Sequence, residues 1–183
     1  MFKAFAILAV MSIVNASAQL MNLEWDPKFY EDTPKLSPLC EQAPILAYHI
    51  HAMVWPHVPR QVAQVMKFQH DFIEHFGLQG KRNCTFDSAN PAPEQQDICA
   101  WPVDWQPVGP FNNAQLSFHV PKHHYTEVFE WAMHNRNGLD ILIHPKTGCD
   151  IQDHSIWASW TGAAWQIDTT AFGLCNAPYP ACL

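Results

Sequence analysis

Positive charge is the first thing this sequence is short of. Lysine and arginine together number 10 against 17 aspartates and glutamates, and the formal charge is −7 at pH 7. The cations are scattered, so there is no basic patch to meet a phosphate backbone, and nucleic acid is not an expected partner. Glycine is scarce too, at 7 of 183 residues, which argues against a many-turned jelly roll. No Cys-x-x-Cys pair occurs among the 6 cysteines, which weakens a zinc ribbon. Long apolar runs are also missing: Ala4 to Val14 is about 11 residues, short of the ~20 needed to cross a bilayer. No membrane partner, internal repeat or low-complexity tract is expected.

That apolar segment reads instead as the core of a secretory signal peptide. Lys3 supplies the positive start and Ala16-Ser17-Ala18 the small-residue cleavage site, so residues 1–18 are expected to be removed and the product secreted. About 165 residues remain, enough for one domain with a core of ordinary proportions. An even number of cysteines in an oxidising compartment reads as three disulfides. Proximity pairs Cys84 with Cys99 around a polar loop and Cys175 with Cys182 in the tail, while Cys40 ties down the segment before the domain. Asn83-Cys84-Thr85 is a glycosylation sequon. Residues 19–44, broken by Pro27, Pro34, Pro38 and Pro44, are expected to form an extended arm. The folded domain then runs over 45–170, and 171–183 is a Cys- and Pro-rich tail.

Periodicity places the elements of that domain. Ile45 to Trp55 alternates as a strand and ends at Pro56. Val58 to Phe76 carries Val62, Val65, Met66, Phe72, Ile73 and Phe76 at helical spacing, closed by Gly77. Lys81 to Pro110 is loop-like. Asn113 to Val120 reads as a strand, Tyr125 to Asn135 as a helix with Val128, Phe129, Ala132 and Met133 inward, and Leu139 to His144 as a strand after the turn Asn-Arg-Asn-Gly. The pattern is a two-layer, disulfide-stapled α+β domain. A ferredoxin-like (split βαβ) sheet with helices on one face accommodates it, with one further strand drawn from the loop.

The chemistry starts at Tyr48-His49-Ile50-His51. Strand side chains alternate faces, so His49 and His51 point one way and Tyr48, Ile50 and Ala52 the other. Two imidazoles on one face suit a metal ion; the bland alternative is a solvated sheet face. The 11 histidines exceed what packing usually requires. A second strand ends in His144, and Asp150, Asp153 and His154 follow in a turn-rich stretch. Adjacent strands lie ~4.8 Å apart, so a histidine on one can reach an ion held by another.

These residues resemble a known family. Tyr-His-Ile-His, a helix, Pro-Val-Gly-Pro, and then Asn135-Arg136-Asn137-Gly138-Leu139 through His144-Pro145-Lys146-Thr147-Gly148, Asp153-His154 and Trp157 look like the DOPA 4,5-dioxygenase family of fungi and bacteria. The resemblance spans roughly Tyr48 to Asp168. It implies a ferredoxin-like α+β domain and extradiol cleavage of a catechol by dioxygen at a non-haem metal. The ion is expected to be Fe(II), with zinc, copper or manganese as alternatives. His49, His51, His144 and Asp153 are the implied ligand candidates: His51 and His144 first, with His49 or Asp153 completing the set. His154, then His119, are the acid/base candidates. Arg136 is the candidate partner for a substrate carboxylate, and Trp101, Trp105, Trp157 or Trp160 for stacking on the ring.

Two departures from the family pattern stand out: the signal peptide with its cysteines, and Phe111. Relatives usually carry Gly-Pro-His where this chain has Gly-Pro-Phe, so Phe111 occupies a histidine position suited to metal binding or acid/base work. His119 has the same strand parity but lies eight residues on, too far to substitute in a regular register. The alternative function is therefore a secreted protein on the same fold that holds a metal or an aromatic ligand without turning it over. A cupin-type oxygenase lacks its glutamate, and a copper oxygenase with an N-terminal histidine brace is excluded by the expected Gln19 terminus. A homodimer remains compatible with the sequence.

Overall fold

In the computed structural model the described residues are 40–41, 43–80, 84 and 97–172. The expected signal peptide, nearly all of the arm, Asn83 and the Cys175–Cys182 pairing lie outside them. Five strands form one antiparallel sheet: β1 (Ala47–Val54), β2 (Cys99–Ala100), β3 (Ala114–Pro121), β4 (Asp140–Lys146) and β5 (Ser159–Thr161), in the order β2-β3-β1-β4-β5. β1 is central and runs antiparallel to both β3 and β4. Helix α1 (Pro59–His75) leads from β1 towards β2, and α2 (Tyr125–Asn135) connects β3 to β4. β3 and β4 are therefore parallel to each other with β1 between them.

Local sequence explains these elements. α1 starts with Pro59 at its first turn, where a missing N–H is harmless, and is followed by Gly77 at φ 61; this is the usual proline-in, glycine-out asymmetry. Its buried residues Val65, Phe68 and Phe72 follow a three- and four-residue spacing. Phe68 belongs to this stripe and Met66 does not: Met66 is 46% exposed and Met133 on α2 is 51% exposed, because each sits about a third of a turn off the buried line. The turn into β4 places Asn137 at φ 52 and Gly138 at φ 80, a left-handed pair that asparagine and glycine tolerate.

Alternation along the strands divides the protein into two unequal cores. Ile50, Ala52 and Val54 of β1, Leu116, Phe118 and Val120 of β3, and Ile141 and Ile143 of β4 pack under the two helices. Phe72 stacks on Phe118 with ring centroids 3.7 Å apart. Truncating Phe72 to alanine would cost about 3–5 kcal/mol. On the opposite face Met53, Phe111 and Leu142 form a small cluster covered by Trp160, Trp165 and Ile167.

Disulfides join Cys40 to Cys149 and Cys84 to Cys99. The second is the pairing expected from proximity, and the first gives Cys40 its partner in the turn after β4. The loop expected over Lys81 to Pro110 contributes β2, whose two residues are too few to show a period. β5, with 3 residues, is also too short to show one. α3 (Asp150–Asp153) forms one turn beyond Cys149.

Candidate metal centre

The sheet face opposite the helices carries the histidines, as strand parity dictates. His49 pairs with His119 of β3 on one side and with His144 of β4 on the other. The next row holds Ser117, His51 and Leu142. Three strands thus bring His119, His49 and His144 into a line, with His51 beside them. His49, His51 and His144 each offer a ring nitrogen within 4.8 Å of the others. His51 and His144 are buried and His49 is half-buried.

Hydrogen bonds fix which nitrogen of each buried ring is free. The carboxylate of Asp104 can only accept, so Gln115 Nε2, 2.7 Å from Asp104 Oδ2, must be the donor. That turns Gln115 Oε1 towards His51 Nδ1 at 2.8 Å, and an amide oxygen requires His51 Nδ1 to carry the proton. His144 Nδ1 likewise donates to the carbonyl of Pro145 at 2.7 Å. Both rings are neutral: burial pushes the pKa of His51 down to about 3, against a smaller upward pull from the Gln115 hydrogen bond. Burial, followed by the charges of neighbouring histidines, holds His144 well below its ordinary value. A neutral imidazole has one N–H, so both Nε2 atoms present lone pairs, and they face each other at 3.1 Å.

Two facing lone pairs repel unless a cation stands between them. Two nitrogens bound to one ion at ~2.1 Å each and at right angles lie about 3 Å apart, so this donor pair fits a metal. His49 adds a third imidazole, lowered by burial first and by the Lys146 ammonium second. Its Nε2 lies 3.3 Å from His119 Nδ1. Donation of the far ring N–H to a carbonyl or amide oxygen is the usual support for a metal-binding histidine, because it sets tautomer and ring angle.

His154 is next to this group. Its ring centroid is 3.8 Å from that of His144, and its Nδ1 donates to the Asp150 carbonyl at 2.8 Å, which leaves Nε2 as an acceptor. Burial lowers its pKa to about 4. Phe111 lies over His51 at 4.5 Å and 6.0 Å from His154. Trp101 meets His49 edge-on at 5.2 Å.

The structure relocates three sequence expectations. Asp153 is fully buried, but its carboxylate accepts from the amide of Thr147 at 2.9 Å and from the Thr147 hydroxyl at 2.8 Å. It pins the turn after β4 and is not brought among the three imidazoles. Arg136 donates to the carbonyl of Leu139 at 2.7 Å. It lies before the start of β4, at the opposite end of that strand from His144, because the turn that places it precedes the strand. Phe111 escapes the register argument because β3 begins only at Ala114; the chain before it folds back through bridges to Val108 and Ile167. Among the tryptophans, Trp160 belongs to the small core and Trp105 is 38% exposed, while Trp157 is half-buried.

Gln115, Asp104 and Lys146 were not anticipated. Gln115 shares strand parity with His119, which is a readable signal, but its placement opposite Met53 beside His51 depends on register.

A small α+β protein whose sheet face brings together three neutral imidazoles, two of them with fixed tautomers, has a site that could hold a non-haem metal ion. The pattern of the Dopa 4,5-dioxygenase family matches residues 48–171, and the chain belongs to that family. A stretch of 66 residues is 32% identical to DOPA 4,5-dioxygenase of Amanita muscaria, covering 36% of this chain and 29% of that one. The chain therefore matches less than a third of that relative's length. A crystal structure of a Nostoc punctiforme protein, described provisionally as a dioxygenase, superposes with a TM-score of 0.51 at 25% identity. The superposition covers 70% of this chain and 91% of that one.

Proposed function

We propose that this chain is a secreted, metal-dependent dioxygenase that opens the ring of a catechol by extradiol cleavage. The observation that carries the reading is the pair of lone-pair nitrogens, His51 Nε2 and His144 Nε2, at 3.1 Å, on a chain of a dioxygenase family. His49, His51 and His144 would hold the ion, with Fe(II) favoured because the family chemistry uses dioxygen. When bound, ferrous iron would supply the redox chemistry that lets dioxygen react with a catechol.

The remaining tasks fall to side chains on the same face. His154 Nε2, with its other nitrogen committed to the Asp150 carbonyl, is the acceptor for a catechol proton and can return it during ring opening. Phe111 and Trp101 flank the imidazoles and exclude water from the reacting ring. The order β2-β3-β1-β4, with its two helical crossovers, supports reading the sheet as ferredoxin-like with β5 added at the edge. Secretion rests on the N-terminal sequence and on the disulfides.

A second reading has its own observation. Phe111 supplies no donor or acceptor beside His51, which favours a protein that binds a metal or an aromatic ligand without turnover. The deciding experiment is anaerobic Fe(II) loading of purified protein, followed by oxygen uptake and yellow absorbance with a panel of catechols. Iron-dependent uptake lost in His51→Ala and His144→Ala is expected. Stoichiometric iron with no uptake on any catechol would establish the binding protein instead.

A further inference from the structure

The two buried imidazoles of the site each have the proton of their second nitrogen placed by an acceptor, Gln115 Oε1 for His51 and the Pro145 carbonyl for His144. His49 is the third imidazole, and its Nε2 meets Nδ1 of His119 at 3.3 Å. Strand pairing brings them together. β1 lies between β3 and β4, so His119 and His144 flank His49 from opposite sides in one row. Gln115 and His119 share parity on β3, so that single strand reaches both histidines of β1.

His119 is itself held in place. It is 5% exposed, and its outer neighbour is Cys99 of the edge strand β2. The disulfide to Cys84 and the hydrogen bond from the Cys84 amide to the Ala100 carbonyl fasten that edge. The rings of His49 and His119 meet edge to face, with centroids 5.4 Å apart and planes at 71°. Trp101 packs edge-on against His49 as well, at 5.2 Å and 69°. His49 therefore has little freedom to turn.

One proton serves the contact between His49 and His119. Burial keeps His49 neutral, a neutral imidazole has a single N–H, and two protons or two lone pairs facing each other would repel. If His119 Nδ1 carries the proton, His49 spends its Nε2 lone pair as an acceptor and keeps its own proton on Nδ1. No lone pair then remains for an ion. If His49 Nε2 carries the proton, His49 Nδ1 holds the free lone pair, and only this arrangement makes His49 a ligand. We propose that His119 is the positioning residue for the third ligand: it accepts the Nε2–H of His49, so that His49 binds the ion through Nδ1 while His51 and His144 bind through Nε2. This rests on the metal reading of the site above. His119 stands outside the donor set, which among the described residues joins His49, His51 and His144.

The test reads metal coordination without any turnover. Ring-nitrogen NMR of isotope-labelled, oxidised protein loaded with Zn(II) distinguishes metal-bound, protonated and free histidine nitrogens. The expected pattern in wild type is zinc on Nδ1 of His49 and on Nε2 of His51 and His144, with a protonated Nε2 on His49. Competition against a chelator then compares wild type with His119→Gln, whose side-chain oxygen can still accept, and with His119→Phe, which fills the space without an acceptor. His119→Phe should weaken zinc binding by about 10- to 100-fold, and His119→Gln should recover most of that loss. Zinc on Nε2 of His49, zinc on His119, or a His49 without zinc overturns the assignment in wild type alone. Equal affinity in wild type and His119→Phe overturns it as well, and so does equal weakening by both variants, which would mark a packing role. Wild type that takes up no zinc would instead remove the metal reading itself, and the role of His119 with it.

Discussion

His51 and His144 approach through their Nε2 atoms at 3.1 Å, each with its Nδ1 proton already given to an oxygen. The contact is a consequence of sheet pairing: β1 and β4 are neighbours, and His51 is two residue pairs along from the row that joins His49 to His144, on the same face. The tautomer of His51 depends on a glutamine whose own orientation depends on Asp104.

Gln115→Leu should therefore weaken metal binding by about 10- to 100-fold, the usual effect of losing the hydrogen-bond partner of a metal-binding histidine. Asp104→Asn should give a smaller loss, because the amide of residue 115 is then no longer forced into one orientation. Competition against a chelator at pH 7 measures both. Wild-type affinity in two variants that still unfold cooperatively would show that the tautomer is held by something else.

Much of this arrangement was legible before the fold was known. The parity of His49 and His51, the bounds of α2, and the strand carrying His144 all follow from period alone, since each lies in a run long enough to show one. What escaped was decided by pairing. Gln115 reaches His51, and His119 reaches His49, through β1–β3 register, which no single strand encodes. Asp153 and Arg136 are site candidates through the family resemblance, the one in the Asp-His pair and the other in the turn before β4. Turns on either side of β4 instead direct one to Thr147 and the other to Leu139.

Asp153 makes stability depend on pH. Burial raises its pKa from 3.8 to about 6, against the opposing hydrogen bonds from Thr147. A carboxyl raised on folding binds its proton more tightly in the native state than in the unfolded chain. Its contribution is thus complete below pH ~4 and is lost as pH rises through about 6, by roughly 3 kcal/mol at most. Asp153→Asn should flatten that part of the profile. Urea unfolding of oxidised protein at intervals from pH 4 to 7 measures the slope, and an identical slope in wild type and variant would assign it to other groups.

The two disulfides should differ in what they contribute. Cys40–Cys149 closes a separation of 109 residues and Cys84–Cys99 one of 15. In the chain-entropy account these loops are worth about 4.7 and about 3 kcal/mol. The double variant Cys40→Ser/Cys149→Ser should accordingly lose more stability in urea than Cys84→Ser/Cys99→Ser. Its metal stoichiometry should persist, because His49, His51 and His144 are carried by β1 and β4 rather than by the turn that Cys149 anchors. The reverse ranking would mean that contacts in the Cys84 loop outweigh the entropy of the longer one.

Phe111→His tests what the aromatic ring does over His51. In the metal-free protein the change buries an imidazole where a phenyl ring packs on Met53 and Leu142. A buried polar group without a partner costs about 1–3 kcal/mol, so the apo variant should melt below wild type. Within 4.5 Å of His51 by ring centroid, a new imidazole is in reach of the same ion, and a further ligand should tighten metal binding by at least tenfold, about 1.4 kcal/mol. Metal should therefore raise the melting temperature of Phe111→His by more than it raises that of wild type. An equal rise in the two proteins would place residue 111 outside the ligand set and leave the phenyl ring a purely apolar cover for His51.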